Sequence, residues 1–179
     1  TSWIGALRDA DAPRASGSDR CDDAGRRDTN RQHAAHSSRP RPVTLVVDSS
    51  VALKWFVKER GHEAALNLLD GDMPLLAPDL ILAEVGNALC RKARLGEGAP
   101  VQIGRSISEL ADSVILRPVT VDLTQEAVRI MQEIGHSIYD CLFLALAQQE
   151  KVGLVTADDK LLAKMAGNPT GQNVVRLEM

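Results

Sequence analysis

Short apolar runs alternate along most of the chain with longer segments in which apolar residues recur every three or four positions. Runs rich in Val, Leu and Ile are typical of buried strands, and the longer pattern is typical of amphipathic helices. We predict strands at 43–47, 75–77, 114–119 (or an extended link there), 152–156 and 174–177. We predict helices at 51–56, 62–69, 79–95, 101–111, 124–134, 137–147 and 158–165.

The ends of these helices are predicted from residues with known capping preferences. Pro78 is expected in the first turn of the third helix, which Gly96 should end. Thr124 is expected to cap the fifth helix and Gly135 to end it, and Ser137 or a neighbour should begin the sixth. The predicted helices are therefore short and connect successive strands.

Strands that alternate with helices predict an α/β fold with a parallel sheet covered on both faces. Ligands of such sheets gather at the carboxyl ends of the strands. Functional residues are therefore expected at that edge of the sheet.

Residues 1–42 lack the alternating pattern. The stretch from residue 9 to residue 42 is rich in Arg, Asp, Ser, Ala and Pro and shows no sustained apolar periodicity. Such a segment cannot bury enough apolar surface to offset the entropy of ordering. We predict a disordered N-terminal extension at 1–42, without the features of a secretory signal, followed by one domain at 43–179.

Composition limits the possible classes of protein. Hydrophobic residues make up 44% of the 179 residues and aromatic residues 3%, so the core must be aliphatic. No apolar run approaches the roughly 18 residues of a membrane helix. Three cysteines without metal-ligand spacing predict a reducing, cytoplasmic location, with Cys90 and Cys141 as buried fillers. The net charge of −3 does not by itself suggest nucleic acid, although metal ions can neutralise an acidic site.

Four acidic residues fall where a site is expected. Asp48 and Asp158 follow predicted strands, Asp140 lies in the first turn of an apolar helix, and Glu84 lies within another apolar helix. An unpaired buried acid is costly, so Glu84 in particular requires a partner.

Each acid also has a simple structural explanation. Asp48 and Asp158 are suited to helix caps, and Asp140 to a first-turn acid that complements the helix dipole. Glu84 has possible partners in Arg91 and Lys92 on its own helix. These alternatives remain open for each acid taken alone.

Convergence of the four acids favours a metal site. Two follow strands and two lie on apolar helices, so one pocket can hold them all. Clustered carboxylates repel one another strongly unless a divalent cation lies among them. Oxygen ligands favour Mg²⁺ or Mn²⁺, which support hydrolysis of phosphodiester bonds.

Other polar residues are expected to support this site. Asn87 and Arg91 share a helix face with Glu84, where they are suited to orient a carboxylate or a metal-bound water and to hold a phosphate. Ser49 and Thr156 supply hydroxyls beside the two acids that follow strands. A local hydrogen bond for Asn87 and a solvated position for Arg91 are the alternatives.

The four acidic segments together resemble the PIN-domain family, specifically its VapC-type toxin ribonucleases. The segments are VVDSSV around Asp48, EVGN from Glu84 to Asn87, YDCLFLALA around Asp140 and LVTADDKLL around Asp158. Each motif alone is weak, but four in the expected order are specific. The resemblance covers about residues 43 to 177.

The resemblance implies a three-layer α/β/α fold with a mainly parallel sheet. It also implies metal-dependent endoribonuclease activity, with Asp48, Glu84, Asp140 and Asp158 around Mg²⁺ or Mn²⁺. A homodimer and a cognate antitoxin that blocks the site are further implications of the resemblance alone.

Two other classes of protein remain as alternatives. One is a degenerate PIN-like domain that only binds partners. The other is a phosphoacceptor receiver module, in which an Asp also follows an early strand. The receiver fits less well, because Thr156-Ala-Asp158 stands where its lysine is expected.

Overall fold

The computed structural model describes residues 44–98 and 100–178. The predicted disordered extension at 1–42 lies outside the described residues, so its disorder stays a prediction. Among the described residues, no helix combines the length and the apolarity needed to cross a bilayer.

Five short strands form one central sheet. They are β1 (Leu45–Val47), β2 (Leu75–Pro78), β3 (Ile115–Arg117), β4 (Gly153–Thr156) and β5 (Val174–Arg176). Their order is β3-β2-β1-β4-β5, and every neighbouring pair is parallel. The predicted parallel sheet is thereby confirmed. Receiver modules have the strand order 2-1-3-4-5, so the receiver alternative is wrong.

Within residues 44–98 and 100–178, seven α-helices flank the sheet and complete the predicted three-layer α/β/α fold. They are α1 (Ser49–Ala52), α2 (His62–Leu69), α3 (Leu80–Leu95), α4 (Ile103–Ser113), α5 (Val121–Ile134), α6 (Ile138–Glu150) and α7 (Asp159–Met165). Short 3-10 turns at Leu53–Trp55 and Pro169–Gly171 complete the pattern.

The core lies between the sheet and its helices, and α6 occupies its centre. Residues 141–147 of α6 are buried without a break, because this helix contacts β1, β2 and β4. Cys141 is buried there as predicted, whereas Cys90 is exposed on α3. The prediction for Cys90 was wrong because that residue lies on the outer face of an amphipathic helix.

Two predicted helix starts were wrong. Pro78 is the last residue of β2, beyond the pairing with β1, so its missing N–H costs no bond to that strand. Helix α5 begins one turn before Thr124, because Thr120 has the extended backbone of a cap and its hydroxyl accepts from the N–H of Leu123 at 3.2 Å.

The capping roles predicted for Gly96, Gly135 and Ser137 are confirmed. Gly96 and Gly135 end α3 and α5 with φ values of 70° and 61°, a left-handed conformation that glycine adopts without a steric penalty. Ser137 caps α6 through a 3.2 Å hydrogen bond from the N–H of Tyr139.

Candidate functional site

Parallel pairing of β1 with β4 brings two of the predicted acids to one edge of the sheet. Val47 lies opposite Val155, and the N–H of Asp48 donates to the carbonyl of Val155 at 3.0 Å. Asp48 directly follows β1, and Asp158 lies two residues after the end of β4, so both are at the carboxyl ends of the paired strands. The position expected from the sequence is the position observed.

Asp48 is almost fully buried, with 3% of its surface exposed, and hydroxyl groups surround its carboxylate. Ser50 and Thr156 donate to Oδ2 at 2.6 and 2.5 Å, and Ser49 donates to Oδ1 at 3.4 Å. The hydroxyl of Thr156 also accepts from the N–H of Asp158 at 3.0 Å. Thr156 therefore fixes the relative positions of the two acids that follow strands.

Ser50 belongs to the site although the sequence analysis did not place it there. Besides donating to Asp48, its hydroxyl accepts from the N–H of Ala157 at 3.0 Å. A second serine directly after Ser49 was the available signal, because it places another hydroxyl near Asp48 in the chain. In the structure no side-chain cap bond forms at the start of α1.

Glu84 reaches the same pocket from α3. Burial and, to a smaller extent, the negative charges of Asp48 and Asp140 raise its pKa to about 7, although a hydrogen bond with Ser49 opposes part of the rise. Its Oε2 atom is buried without a hydrogen-bond partner in the part of the chain that the structure describes. Glu84 forms no ion pair with Arg91 or Lys92, so that alternative is wrong.

Asp140 completes the group from the first turn of α6. Burial, together with the charges of Asp48 and Asp158, raises its pKa to about 6, although nearby His136 opposes part of the rise. Each half-buried acid thus responds to its neighbours, and such interactions are appreciable only at short range. The structure brings the four predicted acids together.

Asp158 also has the structural role that was its alternative explanation. Its Oδ1 accepts from the N–H groups of Lys160 and Leu161 at 2.7 and 3.3 Å, which caps α7. Capping and site membership are compatible, because the cap fixes the orientation of the carboxylate.

His136 is a residue of the site that the sequence analysis missed. Its Nε2 atom lies 3.0 Å from Oδ2 of Asp140. One ligand atom each from His136, Asp140 and Asp158 lie within 4.8 Å of one another. The available signal was that His136 directly precedes Ser137, which begins the helix that carries Asp140.

The predicted supporting residues divide into two pairs. Ser49 donates to Asp48, beside which it was expected, and Thr156, expected beside Asp158, contacts both Asp158 and Asp48. Asn87 and Arg91 are exposed on α3 and show no hydrogen bond or ion pair to the four acids. Their assignment to the site therefore remains a prediction, in which they contact the substrate rather than the acids.

The donor set fits a divalent cation. Buried Oε2 of Glu84 and Nε2 of His136 both lack a hydrogen-bond partner within the described residues, although they lie among carboxylates. Orphaned buried polar atoms are costly unless an ion or water satisfies them. A hard divalent cation would satisfy these atoms and offset the repulsion among the acids.

Comparison with known proteins agrees with this geometry. The family model for the PIN domain matches residues 45–168. Exonuclease VapC9 of Pyrobaculum aerophilum is 31% identical over 134 residues, which cover 70% of this chain and 89% of that protein.

Solved structures share the fold. A toxin–antitoxin complex from Klebsiella pneumoniae gives a TM-score of 0.54 at 20% identity, over 73% of this chain and 95% of the other. VapC20 of Mycobacterium tuberculosis is described as a sarcin-ricin loop cleaving toxin. It gives a TM-score of 0.54 at 20% identity, over 66% of this chain and 93% of the other.

Proposed function

This chain belongs to the PIN-domain family, and on that premise we propose that it is a metal-dependent endoribonuclease, the toxin of a toxin–antitoxin pair. The observation that carries the proposal is the convergence of Asp48, Glu84, Asp140 and Asp158 in one partly buried pocket. Mg²⁺ or Mn²⁺ is the proposed cofactor, because most of the donor atoms are oxygens.

The acidic residues hold the cation, and their neighbours fix the acids. Asp48 is oriented by Ser50 and Thr156, and Asp158 by its cap of α7. When bound, the cation supplies positive charge that offsets the charge of the phosphodiester and makes water a better nucleophile at neutral pH. The chain itself therefore contributes position rather than a covalent nucleophile.

Binding of substrate requires positive charge near an acidic pocket. Arg91 lies two turns beyond Glu84 on α3, is exposed, and has no ion-pair partner within the described residues. Its guanidinium is suited to a phosphate of the substrate. Exposed Asn87, between them on the same helix, is suited to orient a carboxylate or a water molecule.

RNA, rather than DNA, is proposed as the substrate because of the relatives. The M. tuberculosis neighbour is described as cleaving the sarcin-ricin loop. The P. aerophilum relative is described as an exonuclease. An experiment must therefore distinguish cleavage within the RNA from cleavage at its ends.

An antitoxin and a second copy of the chain are the proposed partners. Similar structures include a toxin–antitoxin complex from Klebsiella pneumoniae, and the family resemblance implies a homodimer. A cytoplasmic location belongs to the same proposal, because the RNA substrate and the antitoxin are expected there. Light scattering of the purified protein tests the dimer directly.

The activity is tested with purified protein and three substrates: linear RNA, circular RNA and single-stranded DNA. We expect cleavage of circular RNA with Mg²⁺ or Mn²⁺ and none with EDTA. Cleavage of linear RNA alone would replace the endonuclease proposal with an exonuclease. Absence of cleavage for all substrates and metals, despite metal binding, would favour the degenerate binding module.

A further inference from the structure

His136 has an environment that an ion pair with Asp140 does not explain. Its Nε2 is buried and lies 3.0 Å from Oδ2 of Asp140, yet the two atoms form no hydrogen bond. An ion pair at this distance is expected to align its N–H with the oxygen. Two polar atoms that lie this close without the alignment of a hydrogen bond instead resemble two ligands of one ion.

The spacing of these atoms fits adjacent positions around a cation. Ligands at about 2.1 Å from an octahedral ion, at right angles to each other, are about 3.0 Å apart. Nε2 of His136 and Oδ2 of Asp140 show this separation. One ligand atom from each of His136, Asp140 and Asp158 lies within 4.8 Å of the other two, which keeps Asp158 within reach of the same ion.

The turn that carries His136 is held in place from both sides. Gly135 ends α5 in a left-handed conformation, and Ser137 caps α6. From α7, Nζ of Lys164 donates to the carbonyls of Ile134 and Gly135 at 3.0 and 2.6 Å. These contacts fix the backbone next to His136 before any ligand binds, as a metal site requires.

We propose that His136 is a nitrogen ligand of the cation held by Asp140 and Asp158, and that it makes this site prefer transition-metal ions such as Mn²⁺ to Mg²⁺. The inference rests on the proposed function, because it concerns the same pocket. Imidazole suits divalent transition metals, whereas Mg²⁺ is bound mainly by oxygen and retains several waters. A histidine among the acids therefore changes which ion is held.

Pulsed electron paramagnetic resonance of the Mn²⁺-loaded protein tests the bond directly. We expect a ¹⁴N coupling in wild type and its loss in His136→Ala. His62→Gln is the matched control, because His62 contacts the Lys54 carbonyl through Nδ1 and lies outside the acidic pocket; this variant keeps the coupling. Absence of the coupling from wild type, or its persistence in His136→Ala, would overturn the proposal.

Affinities of the two ions provide the second measurement, by calorimetry on the same variants. His136→Ala should weaken Mn²⁺ binding about tenfold or more and Mg²⁺ binding less than twofold. His136→Asn offers oxygen in place of nitrogen and should likewise lower the preference for Mn²⁺, which guards against a folding defect in the alanine variant. Equal losses for both ions would contradict the assignment.

These outcomes are independent of catalysis. Wild type that shows the ¹⁴N coupling but cleaves no RNA would overturn the nuclease proposal and retain the ligand. RNA cleavage without the ¹⁴N coupling would overturn the ligand assignment of His136 and retain the nuclease proposal.

Discussion

The hydroxyl of Thr156 lies 2.5 Å from Oδ2 of Asp48, although 108 positions of the chain separate the two residues. The same hydroxyl accepts the N–H of Asp158 at 3.0 Å. One buried side chain thus connects two proposed metal ligands on neighbouring strands.

Thr156→Val is expected to lower both stability and activity. The substitution preserves shape but leaves a buried carboxylate oxygen and a backbone N–H without their partner, at a cost of about 1–3 kcal/mol. Misplaced ligands should lower activity by roughly 10- to 100-fold. Urea unfolding and RNA cleavage measure the two effects. Thr156→Ser keeps the hydroxyl and should restore most of both; a serine variant as impaired as valine would contradict this explanation.

Asp140→Asn should reduce cleavage by on the order of 100-fold or more, because it removes a ligand charge from the pocket. The fold should persist, since the neutral amide relieves repulsion from Asp48 and Asp158. Asp122→Asn is the control, because Asp122 also lies in the first turn of a helix but is exposed. Near-normal cleavage by Asp140→Asn would remove Asp140 from the catalytic assignment.

Glu84→Gln should stabilise the metal-free protein by a margin that grows with pH. The pKa of Glu84 rises from an ordinary 4.5 to about 7 in the folded state. The folded state therefore binds more protons than the unfolded state between these values, and its stability falls as pH rises through them. Gln does not ionise, so the stability of the variant does not fall for this reason as pH rises.

Urea unfolding in EDTA at pH 5, 6, 7 and 8 measures the difference between wild type and Glu84→Gln. The two proteins should be most similar at pH 5 and differ most at pH 8. Addition of Mn²⁺ at pH 8 should narrow the gap, since the cation stabilises the charged form. If the difference in free energy of unfolding were constant over this pH range, ionisation of Glu84 would not destabilise the folded state.

Gly135→Ala should destabilise the fold by about 1–2 kcal/mol, because a side chain is strained at its φ of 61°. The new Cβ would also lie 3.4 Å from Nζ of Lys164, which holds the turn before His136. Activity should therefore fall as well. Gly96→Ala is the matched control: its φ is 70°, nothing lies within 4 Å, and it ends α3 away from the turn.

Thermal unfolding and cleavage below the melting temperature separate these two effects. Both glycine variants should melt earlier, but Gly96→Ala should retain its activity per folded molecule. Equal activity in the two variants would show that the turn before His136 has no influence on the site.

Patterns in the sequence predicted the sheet and the convergence of the acids, because parallel strands end at one edge. Local sequence signals gave wrong helix starts where contacts with distant parts of the chain determine the backbone conformation. Pro78 has the features of a helix start, yet its backbone continues β2 alongside Arg117. Thr120 and Thr124 are equivalent as caps in the sequence, and only the backbone at Thr120 has the extended conformation.

Within the site, the sequence predicted the acids and two hydroxyls beside them, but not which hydrogen bonds these groups form. A pocket of acids follows from strand ends and apolar helices. The choice of Ser50 and Thr156 as donors depends on side-chain positions across β1 and β4. His136 was missed because its residue type, outside any predicted element, carries no periodic signal.

The central position of β1 has a consequence for biosynthesis. Asp48 leaves the ribosome early, but its partner Thr156 follows 108 positions later, on the strand that must pair with β1. The acidic pocket therefore stays incomplete until β4 has emerged, because a domain folds as a unit once its chain is available. A nascent chain with this strand order cannot form the proposed metal site before residue 156 has left the ribosome.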